Sequence, residues 1–294
     1  MIKRIFWNLY FLTFLNGFLL ASLFYFKMEA NYERELFGAI RSDVNSNIKA
    51  DDPQDSVVVK VMHACHGLMT NREPVFEGKS FTGIKSGFLH PTTVDLMTAD
   101  GACGSFSVVL ARLLQGYNFP VRIAQMKAMG KFGAHMIVEV ETLHGWVVLD
   151  PLFDVYFTRP DHRLASFADV KNNWNYYKQQ LPPNYDLKYR YEDVRYSNWT
   201  KIPVIFPAVK KMLDLTLGKA EADTISIRTH FLKLYDICFN IMLFFFILIF
   251  TLTLKKLIQA KIFPQKNIPF TFSNIFKYLR LRILGSKMPE QGQA

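Results

Sequence analysis

Two uncharged apolar runs, one near each end, limit what this chain can fold into more than any other feature. Ile5 to Phe26 is 22 residues without a charge, and Ile237 to Leu254 is 18, with a very apolar centre from Ile241 to Phe250. A helix needs about 20 apolar residues to cross a bilayer, so both runs are expected to be transmembrane helices. The polar interruptions of the first, Asn8, Thr13, Asn16 and Ser22, are mild. A cleaved signal peptide is the rival reading there, but the stretch exceeds a usual h-region and no small-x-small cleavage site follows it. An uncleaved anchor fits better, and the positions of the two runs fit poorly with a helical hairpin buried inside a soluble protein. The expected division is an anchor over residues 1–27, one extracytoplasmic domain over 28–230 with its core at about 52–160, a second transmembrane helix over 231–255, and a basic cytoplasmic tail over 256–294.

A net charge of +10 would suit a nucleic-acid binder if it were spread over a groove. From Lys255 onward, however, eight basic residues face one acid, Glu290, and Lys3 and Arg4 precede the first run. The two ends therefore hold +9 of the +10, the middle is near neutral, and nucleic acid is not an expected partner. The same charges set topology: positive flanks outside both runs put both termini in the cytoplasm and the central domain beyond the membrane. Within the tail, Ile275, Phe276, Leu279 and Ile283 share a helical face while Lys277, Arg280 and Lys287 lie off it. That is the pattern of an interfacial helix held by anionic membrane lipid. A transporter or channel is disfavoured, because neither run carries an intramembrane charge.

Chemistry concentrates in residues 100–151. Cys103 stands between Gly101 and Gly104, just before Phe106, Val109, Leu110, Leu113 and Leu114, which recur at helical spacing up to Gly116. A thiol at a helix start is favoured as thiolate by the macrodipole and the free backbone N–H groups. The flanking glycines leave room for a substrate, and a neighbouring N–H is a candidate oxyanion donor. His135 opens the strand-forming run His135–Glu141, and Trp146-Val147-Val148-Leu149 reads as the next strand after a short turn at Leu143–Gly145. Such a hairpin sets His135 beside Asp150. The imidazole then takes the thiol proton and Asp150 fixes its tautomer.

The stretch resembles the core of the transglutaminase-like superfamily, which includes transglutaminases, bacterial cysteine peptidases and peptide N-glycanases. The resemblance rests on Gly101-Ala102-Cys103, on Gly116-Tyr117-Asn118-Phe119-Pro120-Val121-Arg122, on His135, and on Trp146 to Pro151. It implies an α+β, papain-like core with N-terminal helices and an antiparallel sheet. It also implies Cys103 as nucleophile, His135 as base and Asp150 as orienter, with no cofactor. The implied activity is a membrane-anchored cysteine peptidase or amidase working through a thioester on a peptide or protein amide. One alternative is a cross-linking transglutaminase with the same triad. The other is an inactive binding or scaffold module that assists envelope proteins. Two features depart from the family pattern. Met136 and Ile137 follow the His where relatives carry a small residue and Trp, and residues 28–102 contain no Trp to serve the oxyanion. Gln54, His63, His66 and His90 are the upstream candidates for that donor, without a choice among them.

The rest of the chain reads as support. Leu36, Phe37, Ile40, Val44 and Ile48 predict an amphipathic helix broken by Asp51-Asp52-Pro53. Val58, Val61, Met62, Cys65 and Met69 then mark one face of a second helix, expected to pack on the Cys103 helix. Its His63-Ala64-Cys65-His66 lacks zinc-type spacing, and no metal is expected. Cys65 reads as a core residue rather than a disulfide partner of Cys103. Residues 74–100, with Phe76, Phe81, Phe88 and Leu89, form an expected loop wall of the cleft. A helix is predicted from Leu164 through Trp174, ending before Pro182-Pro183. The aromatic run Tyr185, Tyr189, Tyr191, Tyr196 and Trp199 suits either carbohydrate, peptidoglycan or membrane contact, or packing of a domain extension. Val204 to Leu217 reads as an amphipathic helix near the bilayer.

Overall fold

The computed structural model describes residues 8–76, 79, 89–201 and 203–262. The interfacial helix expected around Ile275–Ile283, the basic residues Lys3 and Arg4, and Phe81 and Phe88 of the loop wall lie outside the described residues. The chain divides into two compact units, Met28–Ile237 on the one hand and Met1–Lys27 with Cys238–Ala294 on the other. Among its main elements, in chain order, are helices α1 (Leu9–Asn45), α2 (Gln54–Thr70), α3 (Thr92–Thr98) and α4 (Cys103–Gly116). Strands β1 (Val121–Ala128), β2 (Lys131–Thr142), β3 (Gly145–Asp150) and β4 (Val155–Tyr156) follow, then helix α5 (Phe167–Asn172) and strand β5 (Val194–Arg195). Helices α6 (Ile205–Leu217), α7 (Ile227–His230) and α8 (Leu234–Ile262) complete the described chain. This is a mixed α+β architecture.

The five strands form one antiparallel sheet in the order β4-β3-β2-β1-β5. Its two faces are covered differently. Ile123, Val138, Val140, Val147 and Leu149 pack with Val58, Val61, Met62, Cys65 and Met69 of α2 and with Phe106, Val109, Leu110, Leu113 and Leu114 of α4. Ala124, Met126, Ile137 and Val148, on the opposite face, pack with Phe157, Phe167, Val170, Tyr177, Tyr185 and Tyr191. Burial on both sides is why β3 reads as a continuous apolar run instead of alternating. Gly145 closes the β2–β3 turn at φ +102°, a conformation that L side chains rarely adopt.

Both helical faces read from the sequence are the buried faces of α2 and α4, and α4 stops at Gly116 as expected. One charged residue of α4 is also buried: Arg112 pairs with Glu33 of α1 at 3.3 Å and lies over the Phe37 ring. An ion pair at such depth demands both partners, since removing one strands a charge in the core.

Three expectations change. Leu36, Phe37, Ile40 and Val44 belong to the long α1 and not to a separate helix, because nothing between Phe26 and Asn45 breaks the backbone ladder; Ile48 falls beyond its end. The helix expected from Leu164 begins at Phe167, where Ser166 and Asp169 form a reciprocal capping box, and it breaks at Asn173. Leu164 instead bridges Thr158. The expected loop wall contains the short helix α3. Tyr185 and Tyr191 are core residues, which supports the packing role for that part of the aromatic run.

The unit formed by the chain ends contains two helical segments long and apolar enough to cross a membrane, in α1 and α8. Their mild polar residues are hydrogen-bonded: Thr13 and Ser22 donate to the carbonyls of Leu9 and Phe18, and Asn16 Nδ2 donates to Thr253 Oγ1 at 2.7 Å. An interhelical amide–hydroxyl bond of this kind ties apolar helices together where packing alone is weakly selective.

Leu110 is fully buried on α4, whereas Leu143 is 81% exposed in the β2–β3 turn. Leu110→Ala is expected to cost about 2–5 kcal/mol, and Leu143→Ala less than about 0.5 kcal/mol. Denaturant unfolding of the full chain in detergent measures both.

Candidate active site

Cys103 is the first residue of α4, His135 lies within β2, and Asp150 is the last residue of β3. The register pairs Val138 with Leu149, which brings Asp150 opposite Ile137 and places it diagonal to His135 on the same face. His135 Nε2 donates to Asp150 Oδ2 at 2.6 Å, and both side chains are essentially inaccessible to solvent. Burial by itself would disfavour the imidazolium. The Asp150 carboxylate outweighs it through its charge and its hydrogen bond, the nearby Cys103 side chain adds to the elevation, and His135 is raised to about 10. Since Nε2 is committed to Asp150, Nδ1 is the ring nitrogen left over, and it has no hydrogen-bond partner among the described residues. The structure thus brings the three sequence-predicted residues together in the order sulfur, imidazole, carboxylate.

The approach to Cys103 is built by hydrogen bonds. Ser105 Oγ donates to Asp95 Oδ1 at 2.6 Å and accepts from the Gly101 N–H at 3.0 Å, so α3 and α4 jointly hold the turn before Cys103. A Cβ at Gly101 would stand 2.9 Å from Ser105 Oγ. A side chain at Gly101 would therefore press on the Ser105 hydroxyl that holds the turn. Ala102, directly before Cys103, is held at φ 41° and ψ −116°, a left-handed strain of roughly 1–3 kcal/mol for a residue with a side chain. The turn delivers Cys103 at the helix start with its N–H bound to no acceptor among the described residues. The sulfur is partly exposed, whereas Cys65 is fully buried and its thiol is pushed far up by desolvation. Of these two residues, Cys103 is the one that solvent reaches.

A second set of neighbours was not legible as part of the site. Tyr189 stacks on the His135 ring with centroids 4.4 Å apart and planes 18° apart, and Phe153 packs at 5.7 Å. Tyr185 Oη donates to the Tyr189 carbonyl at 3.1 Å and holds the stack in place. An aromatic face against an imidazolium favours the charged ring. Tyr189 belongs to the aromatic run noted in the sequence, but no spacing rule connects it to His135.

The upstream polar candidates are engaged elsewhere. Gln54 Oε1 accepts from the Leu143 N–H at 2.9 Å, His63 Nδ1 bonds both oxygens of Asp154 at 2.7 Å, and His90 Nε2 bonds Asp95 at 3.1 Å. His66 Nδ1 donates to the Pro151 carbonyl at 3.0 Å, which fixes the end of β3 just beyond Asp150. Cys65 points to the Phe106 carbonyl, so His63, Cys65 and His66 diverge to three separate partners. The Cys103 N–H is thus the best-placed oxyanion donor. A cavity of about 460 Å³ between Arg122, Trp146, Tyr196 and Asp169 contains none of the three triad residues. Its Arg122 is consumed by Glu139 at 2.7 Å and by stacking between Trp146 and Tyr196.

Because folding raises the proton affinity of His135, the stability from its pair with Asp150 is complete below the unfolded value of about 6.5 and is lost as pH climbs towards 10. Asp150→Asn is expected to cost about 3–5 kcal/mol near pH 6. The gap between wild type and variant should narrow steadily up to pH 10, as measured by denaturant unfolding at stepped pH.

No family model, curated protein or solved structure matches this chain.

Proposed function

We propose that the protein is a membrane-anchored thiol acyl-transfer enzyme with a transglutaminase-like core, working as a cysteine peptidase or amidase on an extracytoplasmic amide. The observation that carries this reading is the grouping of Cys103, His135 and Asp150, with Nε2 held by a buried carboxylate, Nδ1 unpartnered among the described residues and the Cys103 side chain close enough to raise the ring's proton affinity. A structural histidine needs no such arrangement, and a structural cysteine would be buried like Cys65.

The chemistry follows from those positions. With the ring protonated at neutral pH, the neighbouring sulfur reacts as the anion that the imidazolium stabilises. Sγ attacks the amide carbonyl carbon, and the carbonyl oxygen takes up the displaced electron pair facing the Cys103 N–H. Collapse of this intermediate breaks the C–N bond while His135 gives its proton to the departing nitrogen, leaving an amine and a thioester on Cys103. Water then attacks the thioester carbon and loses a proton to His135. Breaking the C–S bond releases the carboxylic acid and restores the thiolate beside the imidazolium. Asp150 remains ionised throughout and holds the tautomer. An amine in place of water would give amide transfer with the same residues.

Two apolar helical segments and the clustering of positive charge outside them support an anchor with both termini cytoplasmic and the site on the far side. Helix α6 adds to this picture: none of its residues is buried, and Ile205, Val209, Met212 and Leu215 are exposed at helical spacing. Such a face suits the membrane interface.

Acid-quenched full-length protein from envelope extracts should carry an acyl mass on the Cys103 peptide, absent in Cys103→Ala. His135→Ala should reduce the trapped fraction at least about 100-fold. Wild type that traps no more than Cys103→Ala defeats the enzymatic reading.

A further inference from the structure

The residue that departs from the family pattern after the histidine, Met136, marks a second feature of the site. Gln125 of β1 pairs with Met136 of β2 on one side and with Arg195 of β5 on the other, so the three form a row across the sheet. Gln125 Oε1 accepts from Arg195 Nε at 2.8 Å. A Cβ at Gly104, the residue after the nucleophile, would lie 3.7 Å from Met136 Sδ. Arg228 of α7 places Nη1 2.9 Å from that same sulfur. The Met136 thioether is therefore bracketed by the start of the nucleophile helix and by a guanidinium. Arg228 is anchored from below, because Ser226 Oγ donates to the Ile123 carbonyl and accepts from the Ile123 N–H.

Both arginines are electrostatically unfinished. The interior arginines Arg112 and Arg122 each meet a glutamate, but among the described residues neither Arg195 nor Arg228 has a carboxylate at ion-pair distance. A thioether is a weak acceptor and answers only one of the five N–H groups of a guanidinium. Asp95 is the acid whose charge reaches Arg228, along with Cys103, but its Oδ1 is already bonded to Ser105 and His90. Two like charges near each other, partly withdrawn from water, need an anion between them.

We propose that Arg228 and Arg195 form a carboxylate-binding subsite beside Cys103, which selects amides carrying a free carboxylate close to the scissile carbonyl. A guanidinium fork matches a planar carboxylate bidentately, and lysine would not substitute for it fully. The row Arg195–Gln125–Met136 then acts as the floor on which that end of the substrate lies. This inference rests on Cys103 being the nucleophile and names the class of donor it accepts.

Alkylation by a matched pair of reagents tests it without knowledge of the substrate. Iodoacetate and iodoacetamide differ only in whether the group beside the reacting carbon is a carboxylate or an amide. The full-length protein in neutral detergent is alkylated with each, and rates are read by mass on the Cys103 and Cys65 peptides. The ratio of the iodoacetate rate to the iodoacetamide rate at Cys103 is expected to exceed that of free cysteine by at least about tenfold, the range of one charge-assisted hydrogen bond. In Arg228→Gln the ratio should fall most of the way to the free-cysteine value, and Arg228→Lys should keep part of it. Arg195→Gln should lower it as well. A wild-type ratio equal to that of free cysteine overturns the subsite. So does a raised ratio unchanged in both glutamine variants, which would assign the preference to the His135 charge. If Cys103 reacts with iodoacetamide no faster than Cys65, the nucleophile reading itself falls, and the subsite with it.

Discussion

The buried pair between His135 and Asp150 is the interaction on which the rest of the site depends. Both side chains are sealed from water, and each would be costly there alone: the imidazolium by desolvation, the carboxylate by its unscreened charge. Their 2.6 Å contact resolves both costs and has two consequences. It commits Nε2 and leaves Nδ1 as the unpartnered nitrogen of the ring among the described residues. It also keeps the ring charged over the whole physiological range, so that the sulfur beside it always has a cation for a neighbour. The packing around the pair serves that geometry. Tyr189 and Phe153 cover the ring, and His66 pins the carbonyl that follows Asp150.

The second constraint is the turn that delivers the thiol. Asp95, Ser105 and Gly101 form a compact hydrogen-bonded unit across α3 and α4, and the strained Ala102 is tolerated because that unit determines its conformation. Cys103 is therefore positioned by helices on one side of the sheet and His135 by strands. The two meet where α4 begins. Ordinary core packing between α4, α2 and the sheet holds this meeting point fixed, with Arg112 and Glu33 adding a buried tie to α1.

How much of this was legible depended on whether a local rule carried it. The buried faces of α2 and α4 were readable because Val58, Val61, Met62, Cys65 and Met69, and Phe106 through Leu114, follow the helical period. The His135–Asp150 pairing was readable because a short turn at Leu143–Gly145 fixes the register of a hairpin. Strand β1 was not recognised, since Arg122, Gln125 and Lys127 interrupt its apolar residues and only pairing with β2 makes it a strand. Tyr189 reaches His135 from an irregular segment, and Arg228 reaches Met136 from a four-residue helix 92 residues further along the chain. No periodicity links such positions. Gly101 is visible in the sequence as a glycine before Cys103, but its contact with the Ser105 hydroxyl four residues away appears only in the fold.

Asp150 and the Cys103 side chain together hold His135 as the imidazolium, and the ring nitrogens of His135 report on this directly. In full-length protein labelled with nitrogen-15 histidine, both nitrogens of His135 should remain protonated through neutral pH and titrate near 10. The midpoint should move downward in Cys103→Ala, because the sulfur contributes to the elevation. A midpoint at the ordinary histidine value of about 6.5 in the wild type, or one that Cys103→Ala leaves in place, would contradict the account.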